Sequence, residues 1–133
     1  MQTERHASVS FRLMQSLRMD IVSGKYPPAT QFPTVRALAF DHAVNPNTMQ
    51  KVLSMLEEEG LLVSFGARGR FVTEDTAVIE ATFLRLKQAF LEQMLEKAAQ
   101  MGIEKCEIIR FLEENTLGES ERKERDERHN TGM

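Results

Sequence analysis

The chain has 133 residues, with 17 Lys+Arg against 20 Asp+Glu, three His, one Cys and no Trp. That length fits one ordinary domain, or a small domain with an appendage, and excludes an enzyme built on a large cofactor fold. No run nears the ~18 apolar residues of a membrane span, no signal peptide opens the chain, and one cysteine forbids an intrachain disulfide, so a soluble cytoplasmic protein with no membrane partner is expected.

Residues 1–75 hold 8 basic and 8 acidic side chains, and residues 76–133 hold 9 and 12. The deficit therefore lies in the second half, and a net acidic chain still binds nucleic acid if its cations share one face.

Residues 1–8 show no periodicity and predict a flexible arm ahead of a domain over 9–75. From Ser10 the apolar positions Phe11, Met14, Leu17, Ile21 and Val22 recur at three- and four-residue steps, one face of a helix that Ser23-Gly24 ends. Pro27, Pro28 and Pro33 make 25–33 a loop. Thr34 then caps a short helix with Val35, Leu38 and Ala39 inward, and His42-Ala43-Val44 leads to a second start. There Asn45 is a favoured N-cap and Pro46 takes the first helical position, where its missing N–H costs nothing. This helix stops at Gly60, and Met49, Val52, Leu53 and Leu56 form its inner stripe. Residues 61–65 and 70–72 read as two short strands around a Gly66–Gly69 turn. A helix over 76–101, roughly 39 Å long at 1.5 Å per residue, ends at Gly102. A shorter apolar helix begins at Ile103 and closes the region 76–118. The charged segment 119–133 predicts a disordered tail.

Helix, loop, short helix, three-residue turn, capped helix and hairpin is the order of a winged helix-turn-helix. In that arrangement the short helix braces the DNA backbone and the next one lies in the major groove. The fold class expected is mainly α with a small β-hairpin: a winged domain followed by a two-helix dimerisation appendage. With its apolar stripe inward, the second helix turns Asn47, Lys51 and Ser54 outward, with Gln50 beside them, groups suited to base edges and phosphates. Glu57–Glu59 at the other end imply that the N-terminal half enters the groove. Arg68 and Arg70 flank Gly69 at the hairpin tip, where guanidiniums match a phosphate or minor-groove contact. Each piece alone also suits a merely solvated surface; their order is what points to DNA.

The blocks Ser23-Gly24, Pro28, 32–39 (FPTVRALA), 44–48 (VNPNT), 56–61 (LEEEGL) and 68–72 (RGRFV) resemble the DNA-binding domain of GntR-family bacterial transcription regulators. The resemblance covers about residues 9–73. With only 55–60 residues following, it is similar to the small YtrA-type branch, in which two helices stand in place of a large effector domain. The resemblance implies a dimeric repressor whose DNA-contacting positions fall on Arg36, Asn45, Asn47, Thr48, Gln50 and the wing at Gly66, Arg68, Gly69 and Arg70. Thr34, at the start of the bracing helix, and Lys51 join that set. Where the family commonly has glycine this chain has Ala29, Ala43 and Ala67. A left-handed Ala43 would carry roughly 1 kcal/mol of strain, and otherwise the turn is shaped differently. Pro46 and Gln50 stand where some branches have arginine, so direct readout should lean on amides and hydroxyls.

The apolar residues of the long helix cover about half its circumference, wider than the ~100° that one neighbour needs. A free two-helix appendage is too small for a stable core. A homodimer is therefore expected, held by Phe83, Leu86, Phe90, Leu91, Met94, Ile108, Phe111 and Leu112. The rival readings fare worse. His6, His42 and His129 have no metal-ligand spacing, Cys106 is expected to be buried in an apolar helix, and no nucleophile elbow or phosphate loop is present, so no catalysis, metal or cofactor is expected. A winged helix serving as a protein–protein module without DNA binding is the alternative; it has no need of the arginine-bearing tip, and only the exposed-looking Met55 speaks for it. A crevice beside the helices leaves room for an unidentified small-molecule effector, though nothing convergent and charged marks one.

Overall fold

A computed structural model describes residues 2–115, with side chains from residue 9 onward. The predicted tail over 119–133, and the end of the appendage at 118, lie outside the described residues. The elements in chain order are α1 (Gln2–Val22), α2 (Val35–Asp41), α3 (Pro46–Glu58), β1 (Leu62–Ser64), β2 (Arg70–Val72), α4 (Thr76–Gln100) and α5 (Lys105–Glu114). The expected mainly helical winged fold is present.

Two features of α1 differ from expectation. Its backbone is helical from Gln2, where an aperiodic arm was predicted. Residues 2–8 contain no Gly or Pro and are rich in good helix formers; apolar periodicity reports packing, not helicity. Phe11 is 57% exposed, and Leu13 is buried instead, beside Met14, Leu17 and Ile21.

The capping residues act as their types dictate. The Thr34 hydroxyl accepts from the Ala37 N–H at 3.1 Å, and Asn45 Oδ1 accepts from the Asn47 N–H at 2.8 Å. Each satisfies a backbone donor that the first helical turn leaves open. Gly60, at φ +83°, turns the chain out of α3. All four residues of the predicted α3 stripe, Met49, Val52, Leu53 and Leu56, are fully buried against Leu17, Ile21, Leu38, Leu61 and Val72.

β1 and β2 pair antiparallel in the register Leu62–Val72, Val63–Phe71 and Ser64–Arg70. The loop before α2 does more than connect. Gln31 bridges Phe71, the Ala29 N–H donates to the Val72 carbonyl at 3.0 Å, and the Phe32 N–H donates to that of Arg70 at 2.8 Å. This extended segment therefore lines the outer edge of the two-stranded sheet, through one isolated bridge and these backbone bonds to β2.

The chain divides into two compact units, one through Gln88 and one from Ala89 onward. The division falls inside α4 and not at the expected 75/76 boundary. Val78 and Ile79 pack on the winged core, and Thr82 is buried with its hydroxyl accepting from Arg85. The opening turns of α4 thus belong to the winged unit. In the second unit Gly102, at φ 75°, turns the chain after α4, the Ile103 N–H returns to the Ala98 carbonyl at 2.9 Å, and Ala98 is buried. Cys106 corrects an expectation: it is exposed, with its thiol 3.7 Å from Glu104 Oε2. It falls on the polar side of α5, which a count of apolar neighbours in sequence does not distinguish.

Candidate nucleic-acid interface

The helix-turn-helix is α2, the turn at 42–44, and α3. Ala43 sits at φ 54°, left-handed, with its N–H donating to the Phe40 carbonyl at 3.2 Å while the Val44 N–H donates to that of Ala39 at 3.0 Å. The turn keeps the shape a glycine would take without strain, and Ala29 repeats the situation at φ 66°. Ala67, the third departure, is not left-handed.

The buried stripe of α3 leaves Asn47, Gln50 and Lys51 exposed and Thr48 and Ser54 half-buried. Gln50 Nε2 donates to the Ser54 hydroxyl at 3.3 Å, one turn along the same face. Asn45 is exposed, with its carbonyl oxygen committed to the cap and its amide nitrogen left as a donor.

The hairpin tip closes with a short 3-10 turn over Gly66–Arg68, then Gly69 at φ 93°, ψ −164°, a conformation open only to glycine. Arg68 is exposed at this tip, whereas Arg70 is not free: its Nε donates to Glu57 Oε1 of α3, with both side chains largely covered. Arg70 thus braces the wing against α3. Glu57 follows Gln50 and Ser54 on one stripe of α3, so β2 docks beside the helix face that carries them. Thr34, Gly66, Gly69 and Arg70 line one recess of about 220 Å³.

The three consecutive glutamates, predicted only to turn their end of α3 away from phosphates, have more particular work. Glu57 holds Arg70, and Glu59 takes both Arg18 Nε, at 2.9 Å, and Arg18 Nη2, tying α3 to α1. Only Glu58 is fully exposed. The cations of the winged domain now sort themselves. Arg18, Lys25 and Arg70 stand in ion pairs, and Arg12 is also engaged. Among the described residues Arg36, Lys51 and Arg68 are exposed with no ion pair, and they fall one each on α2, α3 and the wing tip.

Sequence reasoning missed Phe40, 86% exposed on α2 one turn after Arg36, and Gln31, the residue that reaches the wing tip. The position of Phe40, outside the inner stripe of α2, was the available signal. On α4 and α5, Phe83, Phe90, Leu91, Phe111 and Leu112 of the predicted dimer set are exposed, Phe90 and Phe111 at 64% each, and Leu86, Met94 and Ile108 are half-buried. Leu95, Met101 and Ile109 are further exposed apolar residues of the second unit. No helix among the described residues is long and apolar enough to cross a membrane.

Residues 10–72 match the family described as bacterial regulatory proteins, gntR family. Over 91 residues the chain is 28% identical to the uncharacterized HTH-type transcriptional regulator YhcF of Bacillus subtilis, covering 68% of this chain and 75% of that protein. It is also 28% identical over 105 residues to the HTH-type transcriptional repressor YtrA of the same organism, covering 77% and 80%. Among solved structures, a GntR family transcriptional regulator from Listeria monocytogenes superposes with a TM-score of 0.72 at 26% identity, covering 80% of this chain and 93% of that one.

Proposed function

We propose that the chain, whose residues 10–72 match the gntR family of bacterial regulatory proteins, is a DNA-binding transcriptional regulator of that family and acts as a homodimeric repressor of a near-palindromic operator. In this reading the N-terminal half of α3 enters the major groove, where Asn47, Thr48, Gln50 and Lys51 meet base edges and phosphates. Thr34, Arg36 and Asn45 hold the flanking backbone. The wing, with Gly66, Arg68 and Gly69, meets the adjacent backbone or minor groove, and Arg70 holds the wing in place.

One observation carries the reading: among the described residues of 9–75, the cations without an ion pair, Arg36, Lys51 and Arg68, lie on the three elements a winged helix-turn-helix lays on a duplex, while Arg12, Arg18, Lys25 and Arg70 are engaged within the domain. An exposed guanidinium or ammonium gains most from a partner whose counterions are released on binding. The exposed apolar residues of the second unit, Phe90, Leu91, Leu95, Phe111 and Leu112 among them, support self-association, since exposed apolar patches mark interaction sites. A twofold axis would set two α3 helices about 34 Å apart, one DNA turn. Repression is the activity named for YtrA, which this chain resembles over most of its length.

The test is recovery and sequencing of genomic fragments retained by the protein at ~0.15 M salt. The result expected is a shared inverted repeat, and its binding should weaken at least tenfold in Arg36→Ala and in Lys51→Ala. Retention without any common sequence, or wild-type affinity in both variants, overturns the proposal. Exposed Phe40 and Met55 favour the second reading, a protein-binding winged helix, which predicts that no DNA is retained at all.

A further inference from the structure

We propose that Gln31 is a positioning residue for DNA binding, holding the wing tip so that Arg68 is presented to the duplex; the proposal rests on the DNA-binding reading above. Gln31 lies between Thr30 and Phe32 on the extended segment that lines β2. Phe32 is buried, so strand alternation turns Gln31 outward along the wing. From there its Nε2 donates to the Arg68 carbonyl oxygen at 3.1 Å, a contact across 37 positions of sequence.

The fit around this bond is close. A Cβ at Gly69 would stand 3.4 Å from Gln31 Nε2, so the amide lies directly against the residue that follows Arg68. The other bonds of the tip are local: the Arg68 N–H to the Phe65 carbonyl at 3.1 Å, the Gly69 N–H to that of Gly66 at 3.1 Å, and the Phe65 N–H to that of Gly69 at 2.9 Å. A two-stranded hairpin with three-residue strands is marginal by itself. The segment before α2 braces the outer edge of β2 through the bonds of Ala29, Thr30 and Phe32, and Gln31 extends that support to the tip. Two residues beyond Phe32, Thr34 caps α2, which carries Arg36. One short segment therefore fixes both Arg36 and Arg68, and the phosphate positions they reach are set together.

The test uses the full chain and Gln31→Met, which keeps length and loses the donor without adding charge. Affinity for the retained duplex is measured in the wild-type and Arg68→Ala backgrounds, and the order of the Arg68 and Gly69 amides is measured by 15N relaxation on the free protein. Gln31→Met should loosen both amides, weaken binding about fivefold in the wild-type background, as loss of one neutral hydrogen bond would, and have no further effect once Arg68 is alanine. An equal loss in both backgrounds makes Gln31 a merely structural residue and overturns the proposal, as does unchanged affinity with a loosened tip. Unchanged amide order overturns the clamp itself, with or without DNA. A wild-type chain that retains no duplex refutes the DNA-binding reading instead, and the relaxation result still reports on the clamp separately.

Discussion

Three alanines occupy positions where glycine is common in the GntR-family domains that residues 10–72 resemble, and the structure makes opposite predictions for them. Ala29 and Ala43 are left-handed, at φ 66° and 54°, and Ala67 is not. A left-handed L-residue costs about 1–2 kcal/mol. Replacing it with glycine removes that strain and returns about 0.4–1 kcal/mol of disorder to the unfolded chain. All three residues are exposed, so no buried packing is lost, and glycine keeps the N–H that Ala43 gives to Phe40 and that Ala29 gives to Val72. Ala43→Gly and Ala29→Gly should therefore each stabilise by about 0.5 kcal/mol. Ala67→Gly has no strain to relieve and should destabilise by about 0.5–1 kcal/mol. Urea denaturation at one fixed protomer concentration reads the difference as opposite shifts in midpoint at unchanged slope. If Ala43→Gly lowers the midpoint as far as Ala67→Gly does, the strain argument for the helix-turn-helix turn is refuted.

Two further outcomes separate roles within the interface. If Arg68 touches phosphate in each half of a dimer while Arg70 braces the wing through Glu57, then Arg68→Ala should lower the slope of log affinity against log salt by about 1.8, at ~0.9 per contact and two protomers. Arg70→Ala should lower stability by about 0.5–1 kcal/mol, the upper part of the range for ion pairs that keep some exposure, and leave the slope unchanged; a slope change of similar size in Arg70→Ala would return it to the phosphate-contacting set. On α4, Phe90→Glu places a charge in the exposed apolar surface and should convert a dimer to a monomer by sedimentation equilibrium, with at least a hundredfold weaker DNA binding. A wild-type chain that sediments as a monomer at ~50 μM removes the dimer from the account.

What could be read from the sequence was local chemistry at element ends and periodicity within elements. Thr34, Asn45-Pro46 and Gly60 marked helix ends because capping involves neighbours within three residues. The α3 stripe was visible because each of its four members faces the same core. Contacts between distant segments left no such mark. Arg70 and Glu57, Arg18 and Glu59, and Gln31 and Arg68 are pairs that sequence spacing does not announce, so the arginine of the bracing pair looked as free as its neighbour at the tip. Phe11 was misplaced because a phenylalanine in step with an apolar stripe is indistinguishable in sequence from a buried one. Cys106 was misplaced because its apolar neighbours in sequence lie on another side of α5. The wing gained backing along β2 because two prolines and a left-handed alanine shape 27–29 into a turn that sends 30–32 back along that strand. Periodicity does not register so short an extended run.

In the function proposed, a symmetric pair of these domains reads one duplex through Arg36, Lys51 and Arg68. Fluorescence anisotropy against a palindromic duplex and a scrambled one, from 50 to 200 mM salt, tests it most directly. Six phosphate contacts, three from each protomer, predict a slope near −5 and about a thousandfold loss of affinity over that range. The palindrome should remain at least a hundredfold better bound than the scrambled duplex throughout. Equal affinity for the two duplexes, or a slope near zero, would rule out symmetric, phosphate-anchored reading of an operator.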